Sequence, residues 1–394
     1  MDIPEITKII DAAAGIPKTQ LGEKDRLDCL AACHRLQGAL ETPLEACQRF
    51  LFGLLEGTGL RLGIQMKIFE ETASSRDPFT VDELAVSISA DRQLVGRIVR
   101  LLAAMKLYDV LGHDRYVATP LAAGFVGSSP MSLMVQQVGP AMPVVAWLPE
   151  YFEEKGYADP SDGFKGPWQY TYQTPDHYFE WLAKRPELQR VFSAVMGHGR
   201  MSRDTKWFEF YPVEEKLRAQ SPFDTALVDV GGGLGHELIS FRNRFPDFEG
   251  RLVLEDQAHV VASIRDLPPG IQTIGHNFFE PQPSSLRGAK AYYLRTVLHD
   301  WPDSQATTIL KNIRELMTKD SVLLIHESAM PVENASPKSA FYDFMMMAYF
   351  SALDRTEQQF TELLSGAGFS LVQVWRPKDA APDSPILFEA VVKN

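Results

Sequence analysis

The sequence predicts an α/β protein with a doubly wound sheet behind an N-terminal helical domain, and three observations carry that prediction. An apolar run enters a glycine cluster in Leu227-Val-Asp-Val-Gly-Gly-Gly-Leu-Gly235. Strand-like and helix-like apolar segments then alternate to the C-terminus. Before residue 220 the apolar residues recur at helical spacing instead.

The glycine cluster sets the architecture. A buried strand that feeds a glycine turn and then a helix over 236–244 is the first β-loop-α unit of a Rossmann-like sheet. Glycines let the backbone turn sharply and bring its N–H groups close to a ligand. A dinucleotide fingerprint would need glycine at position 236, where His236 stands. The spacing present is Gly231-Gly232-Gly233-x-Gly235 with Asp229 two residues upstream. That pattern suits a ligand with an ammonium and a carboxylate, such as the methionine end of S-adenosylmethionine, better than a pyrophosphate.

The elements that follow keep the alternation. Leu252-Val-Leu254 reads as the next strand, with Glu255 and Asp256 at its end. Adjacent strand residues point to opposite faces, so one of this pair is expected to accept hydrogen bonds from ribose hydroxyls. Residues 291–294 form a strand ending at Arg295, followed by a helix over 304–316 and a strand over 321–325. A helix over 360–368 and strands over 370–375 and 386–391 close the sheet. Polar groups collect at these strand ends, where such sheets bind ligands. His299 follows one strand, Glu327 the next, and Asp354 precedes the last helix. A histidine able to take a proton near neutral pH, with carboxylates to orient its other nitrogen, is a general base with orienting partners.

The N-terminal part is helical and built for association. Residues 25–40 and 43–56 carry apolar positions at helical spacing, the second with Thr42 as N-cap and Pro43 at the first helical position. Thr80-Val-Asp-Glu83 is a capping box, Asp91 caps a helix to about residue 107, and 109–119 reads as a hairpin. Helix, helix and hairpin make a winged helix. Arg92, Arg97, Arg100 and Lys106 raise the possibility of DNA binding. The same helix carries Leu94, Val95, Ile98, Val99, Leu101 and Leu102, which is too apolar for a groove, so packing or dimerisation is the better reading. Three segments result: a dimerisation domain over 1–125, a helical linker and acceptor-pocket region over 126–220, and a catalytic domain over 221–394. The middle segment is rich in aromatic residues, some expected in core and some lining an apolar pocket.

Composition limits the partners. A chain of 394 residues is too long for one ordinary core. A formal charge of −12 argues against a nucleic-acid binder, which needs a basic face. No run approaches the roughly 18 apolar residues of a membrane span. Met1-Asp-Ile-Pro-Glu lacks the features of a secretory signal, and three cysteines suit a reducing, cytoplasmic setting. Cys29 and Cys33, four apart in a helical stretch, read as small core residues rather than metal ligands, so no metal is expected.

The chain resembles the class I S-adenosylmethionine-dependent O-methyltransferases of the plant caffeate/flavonoid type, and more closely their fungal secondary-metabolism relatives. The motifs are Asp229-Val-Gly-Gly-Gly-Leu-Gly235, Arg295-Thr-Val-Leu-His-Asp-Trp-Pro302, His326-Glu-Ser-Ala-Met-Pro331 and Arg355-Thr-Glu-Gln-Gln-Phe-Thr-Glu-Leu-Leu-Ser-Gly-Ala-Gly-Phe369. The resemblance implies a homodimer held by the N-terminal domain, with an acceptor pocket between domains. It implies cofactor contacts from the Gly231 to Gly233 backbone, Asp256 at the ribose, Asn277 and Phe278 at the adenine, and Arg295 nearby. Plant members usually place Asp, Met and Lys at those last three positions. It implies His299 as base, Glu327 and Asp354 as its flanking acids, and Met196 and Met345 as clamps on the acceptor ring. Three functions follow as expectations: methyl transfer to a phenolic or enolic hydroxyl of a natural product, a cofactor-assisted dehydration or pericyclic step without methyl transfer, or regulation through the winged helix. The intact His299, Glu327 and Asp354 favour the first.

Overall fold

The computed structural model describes residues 3–16, 21–74, 77–201, 205–218, 221, 224–378 and 384–393. Gln220, at one of the expected domain boundaries, lies outside them. The chain divides into two compact units, Met1–Gly127 and Ser128–Asn394, so the helical region after Ser128 groups with the sheet.

In the first unit, Thr42 caps the helix Pro43–Gln65 through a reciprocal bond with Glu45. This helix runs on to Gln65, past the expected 43–56. Its glycines serve packing: a Cβ at Gly59 would lie 2.7 Å from Leu101 Cδ2, and one at Gly63 2.8 Å from Phe69 Cε2. Close approach outweighs weak helix propensity there. The capping box at Thr80 opens the helix Val81–Ser87, and the Asp91 carboxylate accepts from the Leu94 N–H to open Arg92–Ala104. Strands β1 (Phe79–Thr80), β2 (Tyr108–Gly112) and β3 (Arg115–Ala118) form an antiparallel sheet in the order β1-β3-β2. Val95, Ile98, Val99 and Leu102 are buried, while Arg92 is tied to Asp82 and Asp114.

The cysteines correct the expectation of a core position. Cys29, Cys33 and Cys47 are all exposed. The helices that carry them, Glu23–Leu40 and the first turns of Pro43–Gln65, bury little within this unit. Leu40, Leu44, Phe50, Leu51, Leu54 and Leu55 are each more than half exposed.

The second unit holds a seven-stranded sheet. Its strands are β4 (Thr225–Val230), β5 (Arg251–Asp256), β6 (Ile271–Gly275), β7 (Ala291–Arg295), β8 (Val322–Glu327), β9 (Phe369–Trp375) and β10 (Ile386–Val392). Their order is β6-β5-β4-β7-β8-β10-β9, parallel except that β10 runs antiparallel to β8 and β9. One face buries Val228, Leu294, Ile325 and Phe388 with apolar residues of the helices Asp303–Arg314 and Glu357–Gly366. The other buries Leu227, Leu252 and Leu324 with Trp207, Leu238 and Phe241. Both faces are covered, as parallel strands require. β6 was not foreseen because it is a half-exposed edge strand without an apolar run. Chain order reverses between β4 and β7, which opens a crevice at their C-terminal ends.

Most aromatics of the middle segment prove to be core. Trp168 stacks among Tyr172, Tyr178, Trp181 and Tyr349. Trp147 and Tyr157 are exceptions, at 51% and 77% exposure. Among the described residues no helix is long and apolar enough to cross a membrane.

Candidate active site

The glycine loop lies at the crevice. Gly231, Gly233 and Gly235 have φ of +72°, +63° and +80°, which only glycine adopts at little cost. A Cβ at Gly231 would fall 2.9 Å from Val297 Cγ2, and one at Gly232 would collide with Leu254 and the buried Asp229 carboxylate beneath it. The N–H groups of Gly231 and Gly232 donate to the Glu255 carbonyl at 2.8 and 3.2 Å. Gly233 N–H donates to Asp256 Oδ2 at 2.8 Å. This corrects the expectation that these N–H groups face a ligand: they fasten the loop to β5. What the loop presents outward is close backbone without side chains.

The two acids that end β5 separate as alternation requires. Asp256 is half-buried at the loop, and its Oδ1 accepts from the Gln257 N–H at 2.7 Å. Glu255 turns away into the interior, where it is 1% exposed. Asn277 is exposed on the next loop, its Oδ1 accepting from Phe279 N–H at 3.2 Å. Phe278 is half-buried, with Cε1 3.8 Å from where a Gly231 Cβ would stand, so it adjoins the glycine loop.

Arg295, expected near the cofactor, is 4% exposed at the end of β7. It forms a buried ion pair with Glu237, in the first turn of the helix His236–Arg244. Its charge therefore supports the helix after the glycine loop. Met196 lies on the helix Pro186–Met201 beside Gly197, whose missing Cβ would sit 2.7 Å from His236 Nε2. That helix thus packs directly on the start of His236–Arg244. Met345 is half-buried against the aromatic cluster of Trp168 and Tyr349, on the helix Pro337–Phe350.

His299 sits in a single helical turn, Leu298–Asp300, after β7. Its Nδ1 is 3.2 Å from Asp354 Oδ1 and its Nε2 is 3.4 Å from Asp300 Oδ1, with the ring one-quarter exposed. Burial draws the imidazole down, but Asp300, Glu327 and Asp354 outweigh it and raise it to about 10. Asp354 therefore reaches the ring directly despite being shorter than glutamate. Glu327, at the end of β8, does something else. Its Oε1 accepts from the N–H groups of Val297 and Leu298 at 2.9 and 3.0 Å, so it holds the turn that carries His299. Burial is the main cause that pushes the Glu327 carboxyl up.

Arg355 and Asp300 stood in the quoted motifs without an assigned role, and Asp343 and His177 were not singled out. Arg355 is fully buried and donates to the carbonyls of Leu298 and Trp301 at 2.6 and 2.7 Å and to Asp303. Asp343 accepts from the Asp354 N–H at 2.9 Å. His177 stacks on Trp301 at 4.1 Å, and burial holds its imidazole down at about 3, so the ring is neutral. Arg355 and Asp300 adjoin residues already singled out, and that adjacency was the available signal. His177 had none.

A sequence profile of the O-methyltransferase domain matches residues 159–370. The chain is similar to methyltransferase cfoC of Aspergillus candidus, 32% identical over 407 residues that cover 98% of each chain. Among solved structures it is similar to one described as a pericyclic reaction enzyme, with a TM-score of 0.85 and 26% identity over 99% of this chain and 100% of that one. It is also similar to the structure of LepI in complex with SAM, with a TM-score of 0.83 and 26% identity over 99% of each chain.

The Arg355 contacts make a stability prediction. Arg355→Met removes the donor of the buried Trp301 carbonyl and the charged donor of the Leu298 carbonyl, which keeps only the Trp301 N–H at 3.3 Å, and an unsatisfied buried carbonyl costs about 1–3 kcal/mol. A clear drop in denaturant midpoint is expected, and an unchanged midpoint would show that the turn is held without it.

Proposed function

The chain belongs to the O-methyltransferase domain family of enzymes, and we propose that it methylates a phenolic or enolic hydroxyl of a small secondary metabolite, with His299 as general base. The cofactor is S-adenosylmethionine, which supplies an electrophilic methyl group on a sulfonium. The glycine loop, at positive φ and bare of side chains between Asp256 and Phe278, fits that group. Asp256 would hold the ribose hydroxyls, Phe278 and Asn277 would meet the adenine, and Met196 and Met345 would border the acceptor.

The observation that carries the reading is His299 bonded at Nδ1 to Asp354 and ringed by two further carboxylates. Asp354 fixes the ring so that Nε2 takes the acceptor's proton, and Asp300 favours the imidazolium that results. A phenol has a pKa of about 10, close to that of His299, so the proton passes between nearly matched groups.

A second reading draws on the same raised pKa. His299 is an imidazolium at neutral pH and can donate a proton or hydrogen bond to a substrate oxygen, promoting a dehydration or pericyclic step. The likeness to a pericyclic reaction enzyme adds to it.

Two tests separate these readings from each other and from error. Purified protein is incubated with the cofactor and hydroxyaromatic metabolites, and mass spectrometry follows one added methyl and S-adenosylhomocysteine. Conversion of a substrate without S-adenosylhomocysteine would overturn methyl transfer. The pH profile gives an independent sign. A base works in its neutral form, so methylation should rise up to about tenfold per pH unit from neutrality and level near 10. An acid role predicts a flat rate that falls as pH passes about 10. His299→Ala should lower kcat by ~10²–10⁴-fold with cofactor affinity nearly kept. Because Asp354 bonds the ring and raises its pKa, Asp354→Asn should lower the plateau rate and move the levelling of the profile to lower pH.

Cofactor binding and assembly have their own checks. Gly231→Val should abolish calorimetric binding of S-adenosylmethionine, since its Cβ needs strained φ and invades Val297. Wild-type affinity in that variant would exclude the loop as the site. The homodimer is proposed to form through the uncovered face of Leu40, Leu44, Phe50, Leu51, Leu54 and Leu55. Light scattering at micromolar concentration should report a dimer, and a monomer would contradict it.

A further inference from the structure

Glu255 and Gln282 form a buried pair that the catalytic reading does not use. Glu255 is 1% exposed at the end of β5, and its carbonyl holds the Gly231 and Gly232 N–H groups. Gln282 is 8% exposed on the loop after β6, the loop that carries Asn277 and Phe278. Gln282 Nε2 donates to Glu255 Oε1 at 2.9 Å. The other oxygen of each side chain, Glu255 Oε2 and Gln282 Oε1, is buried without a hydrogen-bond partner among the described residues. Two acceptors cannot satisfy one another, and leaving both unpaired inside the protein is costly. A carboxylic acid and a primary amide can pair in both directions, with one donor and one acceptor on each side.

We propose that Glu255 is a neutral carboxylic acid whose Oε2–H donates to Gln282 Oε1, closing a two-way ring that latches the 276–283 loop to the glycine-loop end of β5. The latch makes Glu255 and Gln282 positioning residues for the cofactor face, and that part rests on the cofactor contacts proposed above. The surroundings favour the neutral acid. Val230 and Ile274, its register neighbours on β4 and β6, are apolar. The titratable groups that act on it are Asp256, next in the strand, and Tyr292 of β7, and neither is a cation. Burial is the larger cause and Asp256 adds to it, raising the Glu255 carboxyl to about 7 despite the Gln282 bond.

The sign of the pH dependence follows. The folded-state pKa lies above that of an unfolded glutamate, so the folded protein holds the extra proton between the two values and stability falls as pH rises across that window. The ring is intact below about 7 and is lost as Glu255 ionises.

Infrared spectroscopy of carboxyl-labelled full-length protein tests the ring without any reaction. At pH about 6 wild type should show the carbonyl stretch of a buried neutral carboxyl, which Glu255→Gln removes and which fades as pH passes 7. Absence of a band that Glu255→Gln removes would overturn the proposal. Calorimetry with S-adenosylmethionine tests the positioning role. Glu255→Gln keeps a two-way amide ring and cannot ionise, so its affinity should match wild type at pH about 6 and stay level to pH about 8. Wild-type affinity should weaken several-fold over the same range, and Glu255→Leu should be weaker throughout. A wild-type profile as flat as that of Glu255→Gln would overturn the positioning role. If S-adenosylmethionine fails to bind any variant, the cofactor reading fails, and the infrared band still decides the ring.

Discussion

The turn from Val297 to Trp301 is irregular backbone inside the protein, and every peptide group in such a place needs a partner. Glu327 takes the N–H groups of Val297 and Leu298 from one side, and Arg355 serves the carbonyls of Leu298 and Trp301 from the other. His299 can project from this turn in one orientation because its backbone is held by charged groups of both signs. Each holder is placed by regular structure: Glu327 by the end of β8, Arg355 by the approach to the helix Glu357–Gly366. One holder thus comes from the end of a strand and the other from the start of a helix.

The same arrangement sets the charge of the site. Three carboxylates lie around one imidazole, while the nearby arginines are committed elsewhere, Arg355 to the turn and to Asp303 and Arg295 to Glu237. The ring is consequently stabilised as a cation, well beyond what burial subtracts. Such a ring holds a proton strongly once it has one. That suits it to receive the proton of a weakly acidic hydroxyl, and equally to lend a hydrogen bond when nothing is methylated. One electrostatic setting therefore supports both chemistries, and the direction of the pH profile distinguishes them.

Much of this was legible in the residues. The apolar run into Gly231, the capping boxes at Thr42 and Thr80, and the strands that end at Arg295 and Glu327 follow from local patterns that hold in any context. His299 and Asp354 could be paired because both fall at the ends of predicted elements, and the structure brings them within 3.2 Å. Roles that depend on direction were not legible. Glu327 and Asp354 are both acids near His299, yet one bonds backbone and the other bonds the ring. Arg295 kept its position but spends its charge on Glu237, a partner from a different element. Cys29 and Cys33 misled because a helical apolar pattern does not say whether the apolar face is covered within its own chain.

The glycine loop shows how direction decides ligand class. A loop that grips a pyrophosphate aims its N–H groups outward at the anion. Here those of Gly231 and Gly232 are consumed by the Glu255 carbonyl, and that of Gly233 by Asp256. With those three N–H groups taken, the loop has the Asp256 carboxylate beside it and no donor of its own from these residues. An anionic diphosphate would meet repulsion at such a surface. A ligand bringing an ammonium, a sulfonium and ribose hydroxyls would meet the acceptor that Asp256 supplies. The absence of glycine at 236 and the inward N–H groups are thus two sides of one preference, for a cationic nucleoside over a dinucleotide.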